Sequence, residues 1–378
     1  MKFTSTQENL SQGLSLVSHI AAKNTTLPIL NNVLIRAEKG VITLSTTNLE
    51  MGMYCTLRGK IDTEGSFTVT SKLLADFVNL LDTDTVEVAL VNDSVEINTA
   101  NASTSIKGQS PEDFPVIPVI ASDSTFTCKP KDFIDALSQV AFATAHSDTR
   151  PEITGVLMRF ENGSLIMAAT DSYRLAEKSI RCKGTETKQV IVPSRSLLEV
   201  SRVLSSLVAS AVDEEAEVEI AFLDNQVQFS FQNIQIISRL IEGVFPPYQN
   251  IIPKAFSVTA IIPKAELAKA VKTASLFSRT GVFDVVFECK EGAIVISALN
   301  MQLGQSKTTI DASVTGAGSI VLNHKYLLDG LNSIDSGSVV FTMNDENSPC
   351  LLRAAETLDG AQSIEKQDYL YIIMPIKQ

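Results

Sequence analysis

The chain repeats itself three times, and that constrains its fold more than any other feature. The turn pairs Lys39-Gly40, Asn162-Gly163 and Glu291-Gly292 each separate two apolar, β-rich stretches. These read VLIRA and VITLS, VLMRF and SLIMA, then VVFEC and AIVIS, a hairpin pattern in each case. The glycines lie 123 and then 129 residues apart. Leu10, Leu14 and Val17 recur as Phe133, Leu137 and Val140, and again as Leu267, Val271 and Ala274. Spacing of i, i+4, i+7 marks one face of a helix. A second helix recurs as SKLLADFVNLL, SRSLLEVSRVL and HKYLLDGLNSI. Its basic residue (Lys72, Arg195, Lys325) precedes an acid by four positions (Asp76, Glu199, Asp329), a spacing that supports helix weakly.

Proline-rich joints, PEDFPVIP at 111–118 and FPPYQNIIP at 245–253, separate the copies. The expected architecture is therefore α+β: three similar domains, 1–120, 121–252 and 253–378, each with two helices and antiparallel strands. No run of eighteen apolar residues is present, which argues against a membrane span. The polar start MKFTSTQENLSQ does not resemble a signal peptide, so a cytoplasmic location is expected. Cys55, Cys128, Cys182, Cys289 and Cys350 are odd in number and scattered, as reduced core thiols are. His19, His146 and His324 are equally dispersed, and no metal-ligand spacing appears.

A net charge of −12 argues against nucleic acid only if it is evenly spread. It is not. The six expected helices carry eleven basic residues (Lys23, Lys72, Lys129, Lys131, Arg195, Arg202, Lys264, Lys269, Lys272, Arg279, Lys325) against seven acids. Solvated helix faces are often lysine-rich, so charge alone leaves the question open. Equivalent helices arranged around an arc would form a basic inner wall, and further chains could close the arc into a ring. Phosphate contacts carry no sequence information, so such a ring could slide.

The second copy contains GVLMRFENGSLIMAATDSYRLA and the chain ends in YLYIIMPIKQ; LPILNNVLI stands near the start and RLIEGVFPPYQNIIP in the middle. Together these resemble the bacterial DNA polymerase III beta subunits, the sliding clamps, over the full length and in order. The resemblance implies a head-to-tail homodimer ring around duplex DNA, with no catalysis and no cofactor. The implied partners are the polymerase III alpha subunit, the clamp loader delta subunit, and other polymerases and repair proteins carrying clamp-binding peptides. Consistently, no Walker A loop, GxSxG elbow or HExxH is present.

Carried over position by position, the implied peptide pocket comprises Ile153, Thr170, Ser172, Tyr173, Arg174 and Leu175 in the second copy. Pro246, Asn250 and Ile251 join it from the second joint, and Ile372, Ile373, Met374, Pro375 and Ile376 from the tail. An apolar cleft with a methionine adapts to several peptides, and Arg174 is expected to fix a peptide's polar end. Lys23, Lys72, Arg195 and Arg202 are the expected DNA contacts, with Lys264, Lys269 and Lys272 beside them. Ser172-Tyr173 replaces the family's usual Gly-His, Asn250 stands where a basic residue is common, and Pro151-Glu152 where some members carry an aromatic pair.

The columns Thr47–Met51, Thr170–Arg174 and Leu299–Leu303 correspond, and only the second copy places an arginine there. Taken alone, that is either drift or a specialised site. YLYIIMPI reads equally as a last core strand stopped by Pro375. Asp171 is expected to hold a turn rather than act as a catalytic acid, since no second carboxylate or histidine accompanies it. Two other classes compete: a hydrolase or isomerase with its site between repeats, and a protein-only scaffold.

Overall fold

The computed structural model describes residues 1–21, 26–118, 120, 125–147, 149–210, 215–357, 363–365 and 368–377. Among the described residues the repeat is visible as six α-helices: α1 (Gln7–Val17), α2 (Ser71–Asn79), α3 (Pro130–Val140), α4 (Ser194–Ser210), α5 (Lys264–Ser275) and α6 (His324–Ser333). The apolar faces expected from spacing are the buried ones. Leu10, Leu14, Val17, Phe133, Leu137, Val140, Leu267, Val271 and Ala274 all lie in the core. The hairpin turns also form as expected. Lys39-Gly40 and Asn162-Gly163 hold both residues at positive φ, and the third turn holds Gly292 there.

Each copy builds two antiparallel sheets of at least four strands, and short extra strands extend one of them in the first and third copies. One, the hairpin sheet, contains the turn landmark; the other, the return sheet, follows the second helix. The hairpin sheets end in the strands Met51–Leu57, Arg174–Arg181 and Gly304–Asp311. The return strands that correspond to one another are Ser103–Gln109, Ile234–Arg239 and Tyr369–Ile373.

Compactness divides the chain into two units rather than three, because sheets continue across the copies. The first comprises Met1–Pro130, Lys183–Thr185 and Arg202–Leu240. Within it Met51–Leu57 pairs with Ile234–Arg239, giving one thirteen-stranded sheet. The second comprises Lys131–Cys182, Glu186–Ser201 and Ile241–Gln378. Within it Arg174–Arg181 pairs with Tyr369–Ile373 in a ten-stranded sheet, beside a separate four-stranded one that ends in Gly304–Asp311.

The proline-rich joints do more than space the copies. Phe114 and Ile117 pack with Leu34 and Ile237 in the first unit. Phe245 and Tyr248 pack with Leu157 and Ile372 in the second. All five cysteines are buried thiols. Burial pushes Cys55, Cys289 and Cys350 up to about 12, so they stay protonated and unreactive at neutral pH. Among the described residues no helix is long and apolar enough to cross a membrane.

The i, i+4 spacing does not become an ion pair in the first copy, where Lys72 and Asp76 make none among the described residues, nor in the third. In the third copy Asp329 does not pair with Lys325 four residues back. It pairs with Arg174, while the Lys325 ammonium lies 3.6 Å from the centroid of the Phe283 ring. A buried guanidinium gains more from a carboxylate than a solvated lysine does.

Candidate functional site

The site is built around the loop Thr170–Arg174, inside the second unit. Asp171 Oδ1 accepts the backbone N–H groups of Tyr173 (2.9 Å) and Arg174 (3.0 Å), the turn-holding role expected from sequence. Thr170 is buried; its Oγ1 donates to the Arg174 carbonyl at 2.6 Å and accepts from Ser172 N at 3.1 Å. The first copy makes the same turn with Thr47 and Asn48, so the geometry belongs to the repeat.

Ser172 sits at φ +78°, the left-handed region that favours glycine, as does its counterpart Leu49 at +75°. Ser172→Gly should therefore raise stability by about 0.5–1 kcal/mol, part of the strain relief being lost to unfolded-state entropy. Urea unfolding measures this; a lower midpoint for the variant would count against the strain.

Arg174 is buried, with 8% of its side chain accessible. Its Nε donates to Asp171 Oδ2 at 3.0 Å, Nη1 to Asp329 Oδ2 on α6, and Nη2 to the Phe142 carbonyl at 3.0 Å. The Tyr326 and Phe142 ring centroids lie 4.6 and 5.3 Å from the guanidinium carbon. Every arm of the fork is thus engaged within the protein. Arg174 acts on the site by fixing the loop, rather than by offering a free cation to a ligand.

Beneath the loop, Ile153, Leu175 and Ile372 join one apolar cluster with Leu157, Phe245 and Tyr248. Leu175 pairs with Ile372 across the sheet, and Arg174 with Ile373. Consecutive strand residues face opposite ways. Ile372 therefore belongs to this cluster, while Ile373 points with Tyr371 to the other face, where the Tyr371 ring packs tilted against Phe142 with centroids 5.6 Å apart. The tail continues along the loop: Met374 N donates to the Tyr173 carbonyl at 2.8 Å, and Ile376 N to the Val321 carbonyl at 2.8 Å. Met374, Pro375, Ile376 and Pro246 are half-buried, whereas Ser172, Tyr173, Asn250 and Ile251 are exposed. The result is an apolar floor with a half-buried methionine and an exposed aromatic at its rim, suited to a short hydrophobic segment.

Sequence reasoning missed Phe245 and Tyr248 in the floor, and Phe142, Tyr326 and Asp329 around the guanidinium. The recurring Phe-Pro pairs Phe114-Pro115 and Phe245-Pro246 were an available signal for the first. Tyr248 donates its hydroxyl to Glu177, and burial followed by that carboxylate pushes its pKa well up.

The expected DNA contacts divide into two groups. Lys72 on α2, Arg195 on α4, and Lys269 and Lys272 on α5 are exposed. Arg202 is half-buried and donates Nη2 to the Leu16 carbonyl at 2.9 Å, near the C-terminus of α1. Lys264 donates Nζ to the Ile334 carbonyl at 2.6 Å. These two serve carbonyls of the fold. Lys23 lies outside the described residues. Among the described residues no group of three His, Cys, Asp or Glu side chains could hold a metal ion.

Comparison with known proteins places this geometry in a family. Residues 1–118, 127–247 and 249–368 match the N-terminal, central and C-terminal domains of the DNA polymerase III beta subunit. Beta sliding clamps of Staphylococcus aureus and Staphylococcus epidermidis are 27% identical over 367 residues, covering 93% of this chain and 95% of theirs. The sliding clamp of Bacillus subtilis superposes with a TM-score of 0.90 at 25% identity, covering 100% of this chain and 99% of that one. That of Pseudomonas aeruginosa, bound to griselimycin, gives 0.91 at 24% identity with both chains covered in full.

Proposed function

We propose, from the premise that the chain belongs to the DNA polymerase III beta subunit family and is a non-catalytic sliding clamp of that polymerase, that two copies close head to tail into a ring around duplex DNA. The observation that carries this reading is an unfinished series of strand joints. Three copies supply three hairpin-sheet edges and three return strands, and the chain itself makes two joints. Gly304–Asp311 ends its sheet with its outer edge unpaired among the described residues. Ser103–Gln109 meets the neighbouring Gly65–Thr70 strand through Gly108 and Gln109 alone, leaving the outer edge of Ser103–Lys107 open. Open edges invite another chain, and an edge that differs from its complement gives a head-to-tail contact that can close.

The two joints within the chain also supply the register expected of the third. Met51 pairs with Ser238, and Arg174 with Ile373. The third hairpin is one residue longer, since Ala293 pairs with Asp311 where Ser164 pairs with Arg181, so the equivalent column is Gly304. The return-hairpin registers Ser94 to Lys107 and Gln226 to Arg239 make Ile106 the counterpart of Ser238. Gly304 should then face the partner's Ile106, and Ser306 the partner's Thr104. Leu276, Leu299, Met301 and Leu303, all strongly exposed in the single chain, supply apolar area for the contact.

The three sequence domains, 1–120, 121–252 and 253–378, are the repeating units of this ring, six in the dimer. The exposed Lys72, Arg195, Lys269 and Lys272 face DNA, holding phosphate without reading sequence. The apolar groove beside Tyr173 and Met374 takes hydrophobic peptides from the polymerase III alpha subunit, the clamp loader delta subunit and other polymerases or repair proteins. Replication places this activity in the cytoplasm.

Loaded protein should be retained on closed circular DNA and released when the circle is cut. Sedimentation should give a dimer for the native chain and a monomer for Leu276→Asp combined with Leu303→Asp. Equal retention on linear DNA, or a dimer indifferent to both aspartates, would overturn the ring.

A further inference from the structure

The second unit contains a cavity of about 620 Å³, walled by α3, α6 and the strands beside them. The repeat shows what occupies the corresponding place in the first unit. There the Arg202 guanidinium crosses from α4 to the Leu16 carbonyl of α1 at 2.9 Å. Gln139 on α3 lies 123 residues after Leu16, and Asn332 holds the ninth position of HKYLLDGLN that Arg202 holds in SRSLLEVSR. Both Gln139 and Asn332 line the cavity. An asparagine ends several bonds short of a guanidinium, so the space that Arg202 bridges in one unit stays open in the other.

The walls suit a cation. Asp135, Asp329, Asp335 and Asp368 line them, against Lys178 and Lys264. Both lysines are already engaged: Lys178 with Asp368 at 2.8 Å, and Lys264 with the Ile334 carbonyl. Asp329 is held by Arg174. Asp135 and Asp335 have no ion pair among the described residues, leaving negative charge facing the space. Gln139 donates Nε2 to the Ser333 carbonyl at 3.0 Å, while its Oε1 is buried with no donor. An entering N–H could satisfy that acceptor after a small rotation of the side chain.

We propose that this cavity is a binding site for a guanidinium cation, either a free small molecule or the arginine side chain of a partner. The cavity shares Phe142 and Asp329 with the surroundings of Arg174, but no residue assigned to the peptide groove or to the ring joint lines it. The guanidinium donates in its plane to Asp135, Asp335 and the α3 end, as Arg202 does for Leu16 in the first unit.

The test uses the full chain and calorimetric titration with agmatine, N-acetyl-arginine amide and its uncharged isostere N-acetyl-citrulline amide. Agmatine should bind saturably, and the arginine amide, where it enters, should bind at least about tenfold more tightly than the citrulline amide, the usual margin of a charged hydrogen bond. Binding of agmatine with exclusion of both amides would identify the ligand as a free cation; binding of agmatine and the arginine amide would admit a partner's side chain. Asn332→Arg should fill the space with the protein's own guanidinium, raising the melting temperature and abolishing agmatine binding. If that variant does not fold, Asp135→Asn with Asp335→Asn should weaken agmatine about tenfold or more. No saturable agmatine binding, measurable and equal binding of the two amides, or agmatine binding unchanged in these variants would overturn the proposal.

Discussion

Arg174→Met should lower the unfolding free energy by about 3–5 kcal/mol, the cost of breaking a buried ion pair from one side. The guanidinium is the only cation bonded to Asp171 among the described residues, and it also serves Asp329 and the Phe142 carbonyl while lying between two aromatic rings. Methionine fills part of the volume but returns none of the hydrogen bonds. Asp171 is 14% exposed and cannot recover full hydration, whereas Asp329 at 45% can. Asp329→Asn should therefore cost less, about 1 kcal/mol, since a neutral amide can still accept from the guanidinium. Guanidinium-chloride or urea unfolding of the three proteins measures both. A loss below about 1 kcal/mol for Arg174→Met would mean that the loop holds its shape without the fork.

The second large effect separates the floor of the groove from its rim. Leu175→Ala should cost about 2–5 kcal/mol of stability, because Leu175 is buried against Ile153 and Ile372 and its removal leaves a cavity. Met374→Ala should leave stability nearly unchanged and weaken a Gln-Leu-x-Leu-Phe peptide by at least about 1 kcal/mol, read by fluorescence anisotropy. Met374 is half-buried, and its main chain is fixed through the Tyr173 carbonyl whatever its side chain. If Met374→Ala binds the peptide as the native chain does, the groove lies elsewhere.

Much of this was legible in the residues. The faces Leu10-Leu14-Val17, Phe133-Leu137-Val140 and Leu267-Val271-Ala274 recur at a period that only a helix makes contiguous, and all are buried. Asp171 was readable as a turn residue because its bonds go to N–H groups two and three positions on. The side-chain assignments of the site were less accessible. Asp329 has Lys325 at helical spacing, yet its partner is Arg174, 155 residues away. Ile372 and Ile373 look alike in sequence and face opposite sides of a strand. Lys264 and Arg202 read as solvated cations, and tertiary neighbours turn them into donors for carbonyls that helix and loop ends leave open.

The sequence by itself determined three copies, their helix faces, their hairpin turns and the family to which they belong. Each of these depends on short-range periodicity or on fixed φ preferences, which a linear string records. Which copies join was decided only in the tertiary structure. Strand edges present the same N–H and C=O groups whatever their side chains, so any edge of matching twist can pair with any other. The fold satisfies two joints within the chain and leaves Gly304–Asp311 and Ser103–Lys107 open. In the same way, the fold alone decided that Arg202 bridges the two helices in one unit while its counterpart Asn332 leaves a cavity in the other.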